Sequence, residues 1–162
     1  MRTRTHTYTT VVTWTGNQGT GTSGYRDYER AHDVAASGRA VILGSSEPMF
    51  RGDPSRWNPE LLLVASLSQC HMLWFLHLVA DAGVVVTAYV DEAVGTMTEQ
   101  AGEAGQFTEV TLRPRVTVTS AAMTQTVQLL HPRANELCYI ARSVNFPVHH
   151  ESTVDVASGS GA

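Results

Sequence analysis

The chain has 162 residues, 43% of them hydrophobic and 16% charged, with a formal net charge of -4. That length can bury one sizeable core, and that composition excludes a disordered chain. The mild acidity and the lack of a Lys/Arg run speak against nucleic acid and against an anionic membrane surface as partners.

Residues 1–10 contain no apolar h-region and no small-residue cleavage site, so no signal peptide is expected. The cytoplasm is then the expected compartment, where a lasting structural disulfide would be unusual. Residues 4–15 read as a strand, because Thr, Val, Tyr and Trp dominate them. A glycine-rich loop follows at 16–24. Residues 25–36 are ambiguous but compatible with a second strand, and 41–43 add a short third one. Residues 44–57 form a loop rich in Ser, Gly, Asp and Pro, and loops of that length are often functional.

Asn58 has the character of a helix cap, with Pro59 in the favoured first turn and Glu60 facing the positive end of the dipole. The helix is expected to run to Ala82, where Gly83 stops it. It is apolar nearly all round, which predicts a central helix covered on most sides. Leu61 to Ala80 has spanning length, but Ser66, Ser68, Gln69, Cys70, His71 and His77 interrupt it. A buried core helix is the better reading, and no membrane span is expected.

Two long strands are expected at 84–98 and 108–120, joined by a Gly/Glu-rich turn at 99–105. A second helix is expected over about 124–144, with Pro132 inside it removing a hydrogen bond and kinking or splitting it. Residues 148–156 read as a last strand, and 158–162 as a polar, disordered tail. The order of elements predicts an α+β architecture in a single domain over residues 1–157.

Only two cysteines occur, Cys70 and Cys138, each in a different apolar, helix-like segment. A buried cysteine is most often a small hydrophobe. Cys70, however, lies beside Ser66, Ser68, Gln69 and His71, and polar atoms in a core helix need partners or a cavity. Along one straight helix, Glu60 lies about 15 Å from Cys70 and about 80° around the axis. A shared site therefore needs a break after the first turn, or a Glu60 supplied by a second subunit. Arg26, in Gly24-Tyr25-Arg26-Asp27, would favour the Cys70 thiolate if it lay beside it, and Arg51 and Arg56 are rivals for that role. The histidines lack zinc-pair spacing and neither cysteine belongs to a CxxC, so no metal is expected.

Several features resemble the OsmC/Ohr family, the osmotically inducible and organic hydroperoxide resistance proteins. They are Asn58-Pro59-Glu60-Leu61-Leu62, a cysteine ten residues after the glutamate, a second late cysteine, and Gly24-x-Arg26-Asp27. The run from Cys138 to Pro147 is similar to an OsmC-like subgroup. His71 stands where a small or aromatic residue is more usual. The resemblance implies an intertwined homodimer, with sheets wrapped around two central helices and two sites at the interface. It also implies thiol-dependent reduction of organic hydroperoxides without a cofactor. By position, Cys70 corresponds to the peroxidatic cysteine, Cys138 to the resolving one, Glu60 to the carboxylate and Arg26 to the arginine.

The reading that follows is a two-cysteine hydroperoxidase, recycled by a dithiol reductant such as a lipoyl protein or another thiol donor. Leu67, Trp74, Phe75 and Phe146 would form apolar walls favouring alkyl or lipid hydroperoxides. One rival is a non-catalytic redox-sensing or ligand-binding dimer. The other is an enzyme of disulfide or thioester exchange.

Overall fold

The first strand, β1 (Val11–Trp14), is shorter than the expected 4–15. Residues 3–10 remain exposed and pair with no strand among the described residues, which are 3–157 of this computed structural model. The expected tail at 158–162 lies outside them. β1 pairs antiparallel with β2 (His32–Ala35), and β2 with β3 (Ile42–Gly44). The segment ahead of β2 is turn, not strand. Asp27 N–H donates to Gly24 O at 3.0 Å. The Arg30 guanidinium lies 4.4 and 4.1 Å from the ring centres of Tyr25 and Tyr28 and donates to both their carbonyls.

The loop before the long helix is heavily self-bonded. It contains a 3-10 turn at Pro48–Phe50 and then Arg51 in the left-handed region at φ 66°. At Gly52 a Cβ would come within 1.5 Å of the Ser46 carbonyl oxygen, so no larger residue fits. The chain through Leu62 is one of two compact units. Its apolar strand residues Val11, Val12, Ile42 and Leu43 are exposed, so this unit closes little core of its own.

Helix α1 (Pro59–Asp81) starts as expected, with Asn58 Oδ1 accepting the Leu61 N–H at 2.7 Å. It stops at Gly83, which takes φ 70° and donates to Ala80 O. Its buried residues, Leu67, His71, Phe75 and Val79, recur every fourth position and form one stripe. The rest is half-buried or exposed, Leu73 to 61%. The single chain therefore covers one face, not most sides. By length and composition α1 would suffice to cross a membrane, with a mean hydropathy of 1.5.

In the unit from Leu63 onward, each long strand expected is two strands with a break. They are β4 (Val86–Asp91) and β5 (Val94–Thr98), β6 (Gln106–Leu112) and β7 (Pro114–Val118), β8 (Val148–His150) and β9 (Thr153–Val156). One sheet runs β4-β7-β9 and the other β5-β6-β8, each with one antiparallel and one parallel pairing. Asp91 explains why the strands break together. Its Oδ1 accepts the Arg113 N–H at 2.6 Å, and its Oδ2 accepts the Ser68 hydroxyl of α1 at 2.5 Å. Arg113 Nε in turn donates to Glu151 at 3.0 Å, at the third break.

Helix α2 (Thr124–Leu137) ends well short of the expected 144. Pro132 neither splits nor ends it. Pro132 and Gln128 are both exposed, so the carbonyl that loses its partner lies on the wet side. The helix ends at Cys138, whose ψ of 111° leaves the helical region, and a 3-10 turn follows at Ala141–Ser143. Packing accounts for this. Val127 and Ala134 fill one core cluster with Phe75, Val79, Val116 and Val118, whereas Ile140, Ala141, Val144 and Phe146 pack on a second around Leu67, Val110 and Leu112. A straight helix serves the first cluster only.

Asp91→Ala removes two charge-assisted hydrogen bonds at a half-exposed site, so unfolding free energy should fall by about 2 kcal/mol in urea titrations. An unchanged urea midpoint would refute the role given to Asp91.

Candidate active site

The two thiols come together from different elements of the second unit. Cys70 lies on α1, half-buried, and Cys138 caps α2 at 1% exposure; both are free. The Cys138 N–H closes on Asn135 O at 3.2 Å, and its Sγ accepts the Ala141 N–H at 3.4 Å. Burial pushes the Cys138 thiol up to about 11, and the neighbouring Cys70, within hydrogen-bonding reach, pushes it the same way. Cys138 is thus a protonated thiol at neutral pH. Cys70 is the more accessible of the two.

The other predicted site residues are less concentrated. Leu67 and Phe75 are fully buried in the two separate core clusters, so neither offers an accessible wall. Phe146 packs with the Leu67 cluster and lies 5.6 Å from Phe107, ring to ring. Trp74, one turn past Cys70, meets Tyr139, the residue after Cys138, edge to face at 5.7 Å. The pair joins α1 to the turn that follows α2, close in sequence to both thiols, and Tyr139 had no sequence signal beyond its place next to Cys138.

α1 is unbroken from Pro59 to Asp81, so no break after the first turn returns Glu60 to the Cys70 of its own chain. Arg26 is exposed in the turn that Ser23 closes on Asp27, and makes no hydrogen bond or ion pair among the described residues. Arg56 is paired with Asp53 at 3.6 Å. The arginines and Glu60 belong to the first unit, the thiols to the second.

Sequence reasoning missed a buried histidine pair. His71 of α1 and His131 of α2 are both 0% exposed, with Nε2 of the first 3.0 Å from Nδ1 of the second. His131 also stacks on Phe75 at 4.2 Å, and the His150 ring lies 5.9 Å from His71 and 6.2 Å from His131. The outer nitrogens, His71 Nδ1 and His131 Nε2, have no partner among the described residues. Whichever ring donates, one N–H and one lone pair are left over. An orphaned buried donor costs about 1–3 kcal/mol. The described residues contain no group of three His, Cys, Asp or Glu arranged to hold a metal. The spacing of Val127, His131 and Ala134 along one helical stripe was the available signal.

Burial holds His71 down at about 4 and His131 at about 3, and the charge of neighbouring histidines adds in the same direction. In the unfolded chain both titrate near 6.5. Between those values the unfolded state binds protons that the folded state refuses. Stability is therefore greatest above about pH 6.5 and declines toward pH 4, by about 1.4 kcal/mol per pH unit for each histidine. Urea midpoints at pH 7 and pH 5 should show the decline, with a smaller difference in His131→Phe. Equal midpoints at the two pH values would contradict it.

Residues 52–153 match the family profile of OsmC-like protein. An OsmC-like protein of unknown function from Vibrio cholerae is 32% identical, with a TM-score of 0.82 over 92% of this chain and 100% of its own. An organic hydroperoxide resistance protein from Elizabethkingia anophelis is 16% identical, with a TM-score of 0.67 over 97% and 100%. An OsmC-like protein from Mycoplasma pneumoniae is 8% identical, with a TM-score of 0.70 over 93% and 98%. The last two likenesses are of fold alone. No protein of curated function matches the chain in sequence. With the α+β arrangement of two helices and mixed sheets shared throughout, the chain belongs to the OsmC-like protein family.

Proposed function

We propose that the protein is a thiol-dependent peroxidase that reduces organic hydroperoxides in oxidative-stress defence. The observation that carries this is the unequal pair of neighbouring thiols, Cys70 accessible and Cys138 buried with its proton held. Relatives of the same fold bear the name organic hydroperoxide resistance protein. The Cys70 sulfur, as thiolate, attacks the distal peroxide oxygen and the O–O bond breaks. The alkoxide leaves with a proton as alcohol, and Cys70 becomes sulfenic acid. The Cys138 thiol then displaces the hydroxyl as water and forms the Cys70–Cys138 disulfide. A dithiol donor, a lipoyl protein or another thiol, supplies two electrons and two protons to restore both thiols.

Trp74 and Phe146 give this reading its apolar contacts, which suit alkyl or lipid hydroperoxides over hydrogen peroxide. Arg26 and Glu60 supply the guanidinium that stabilises thiolate and leaving oxygen, and the carboxylate that orients it. The unbroken α1 supports a reading in which Glu60 serves the Cys70 of a second chain and the working unit is a homodimer. Exposed apolar residues support that assembly, among them Leu61, Leu73, Ile42, Leu43 and Tyr139.

Cys70→Ser should lower cumene hydroperoxide consumption with dithiothreitol by at least 100-fold. Cys138→Ser should keep a single round of Cys70 oxidation and lose the disulfide. Undiminished consumption in Cys70→Ser rules the peroxidase out. Reversible Cys70 oxidation without turnover for any donor would favour the non-catalytic dimer instead. Sedimentation should give twice the 17.6 kDa chain mass, and Leu73→Asp should shift it toward monomer. A wild-type monomer at tens of micromolar would remove the assignment of Glu60 to a partner's site.

A further inference from the structure

We propose that the buried His71–His131 hydrogen bond sets the register of α1 against α2 that brings Cys138 to Cys70, making both histidines positioning residues for disulfide formation. This rests on the two-cysteine reading above and adds residues that no part of it uses. His71 is the residue after Cys70, so a buried side-chain hydrogen bond between the two helices sits beside the proposed attacking thiol. His131 lies seven residues, about two helical turns, before Cys138, on the stripe that also buries Val127 and Ala134. The two imidazole planes are within 2° of each other, and His131 lies flat on Phe75 within 6°. Apolar side chains of that size would fill the same space without leaving His71 Nδ1 and His131 Nε2 unpartnered. What the imidazoles add is direction. An apolar contact tolerates sliding, whereas a hydrogen bond of 3.0 Å between two buried rings does not.

A disulfide has narrow needs. Its Cα atoms must lie about 4.4–6.8 Å apart, and a slip of one residue along a helix moves a side chain by about 1.5 Å and turns it by about 100°. Cys138 is held from two sides: by the turn beyond it, where Ala141 N–H meets its sulfur and Ile140 to Phe146 pack on the Leu67 cluster, and by α2, which ends at Leu137. The histidine pair fixes the second of these anchors against α1.

The test measures the equilibrium between the dithiol protein and its Cys70–Cys138 disulfide in glutathione buffers. Glutathione disulfide takes two electrons and two protons from the thiols and gives two glutathione. His131→Phe keeps the stack on Phe75 and removes the hydrogen bond, whereas His131→Asn keeps a polar atom near the place of Nδ1. His131→Phe should lower the disulfide-forming constant at least tenfold, with Cys70 sulfenic acid formation by cumene hydroperoxide unchanged. His131→Asn should return the constant to within about threefold of wild type. A His131→Phe constant within twofold of wild type overturns the inference. So does a His131→Asn constant displaced as far as that of His131→Phe, which would reduce the pair to packing. Should His131→Phe fail to fold, His71→Leu with His71→Gln as its conservative partner is held to the same thresholds. A wild-type protein that forms no Cys70–Cys138 disulfide at all overturns the two-cysteine reading itself, and is told apart by that.

Discussion

The side chain of His71 leaves α1 within a stripe otherwise made of Leu67, Phe75 and Val79, and meets His131 of α2 with neither ring touching solvent. A stripe recurring every fourth residue along a helix is normally apolar, because its only task is to exclude water. Two imidazoles there are an expense in desolvation, and two of their nitrogens have no partner among the described residues. The contact persists because both rings stay neutral, which burial enforces. The core cluster of Phe75, Val79, Val127 and Ala134 adjoins this pair, with His131 stacked on Phe75, and the proposed register places Cys138, at the end of α2, beside Cys70, in the middle of α1.

The thiols differ in the way a two-step redox cycle requires. An attacking thiol must be met by a peroxide from outside, and a resolving thiol must be shielded until its partner is oxidised. Cys70, half-buried on the helix surface, answers the first need. Cys138, tucked under the turn that Ala141 closes on its sulfur, answers the second. The raised pKa of Cys138 keeps it a weak nucleophile toward peroxide. Toward a sulfenic acid held against it, proximity does what nucleophilicity does not. In the proposed cycle, the asymmetry of burial would order the two oxidations before any question of substrate arises.

Much of the fold was legible because local signals agreed with the tertiary structure. Asn58 as a cap, Gly83 as a stop and the turn at 99–105 are local chemistry, and each lies where that chemistry put it. The breaks in the long strands were not legible, because they depend on Asp91 taking the Arg113 N–H and the Ser68 hydroxyl, two partners remote in sequence. The end of α2 was overestimated for a similar reason: the residues from Ile140 to Phe146 are drawn to a second core cluster, which no propensity encodes. At the site, the residues alone left the relation of Cys70 to Cys138 open, and only the family resemblance implied a pair. The signal of His131 is its place on the stripe with Val127 and Ala134, which metal-ligand spacing does not reveal.

α1 carries more apolar surface than its own chain can use. By length and mean hydropathy it matches a membrane span, yet only the stripe from Leu67 to Val79 is covered here, and Leu61 and Leu73 lie bare. A soluble helix of this kind is stable when something apolar covers the remaining arc. The proposed second copy meets that need, and it also meets an independent one. A straight helix keeps Glu60 about 15 Å from the Cys70 it carries, so a carboxylate at the thiol has to come from elsewhere. Hydrophobic coverage and the supply of the carboxylate are unrelated demands on the same helix. That one partner chain would satisfy both is the stronger argument for the proposal, since surface exposure alone would accept any apolar partner.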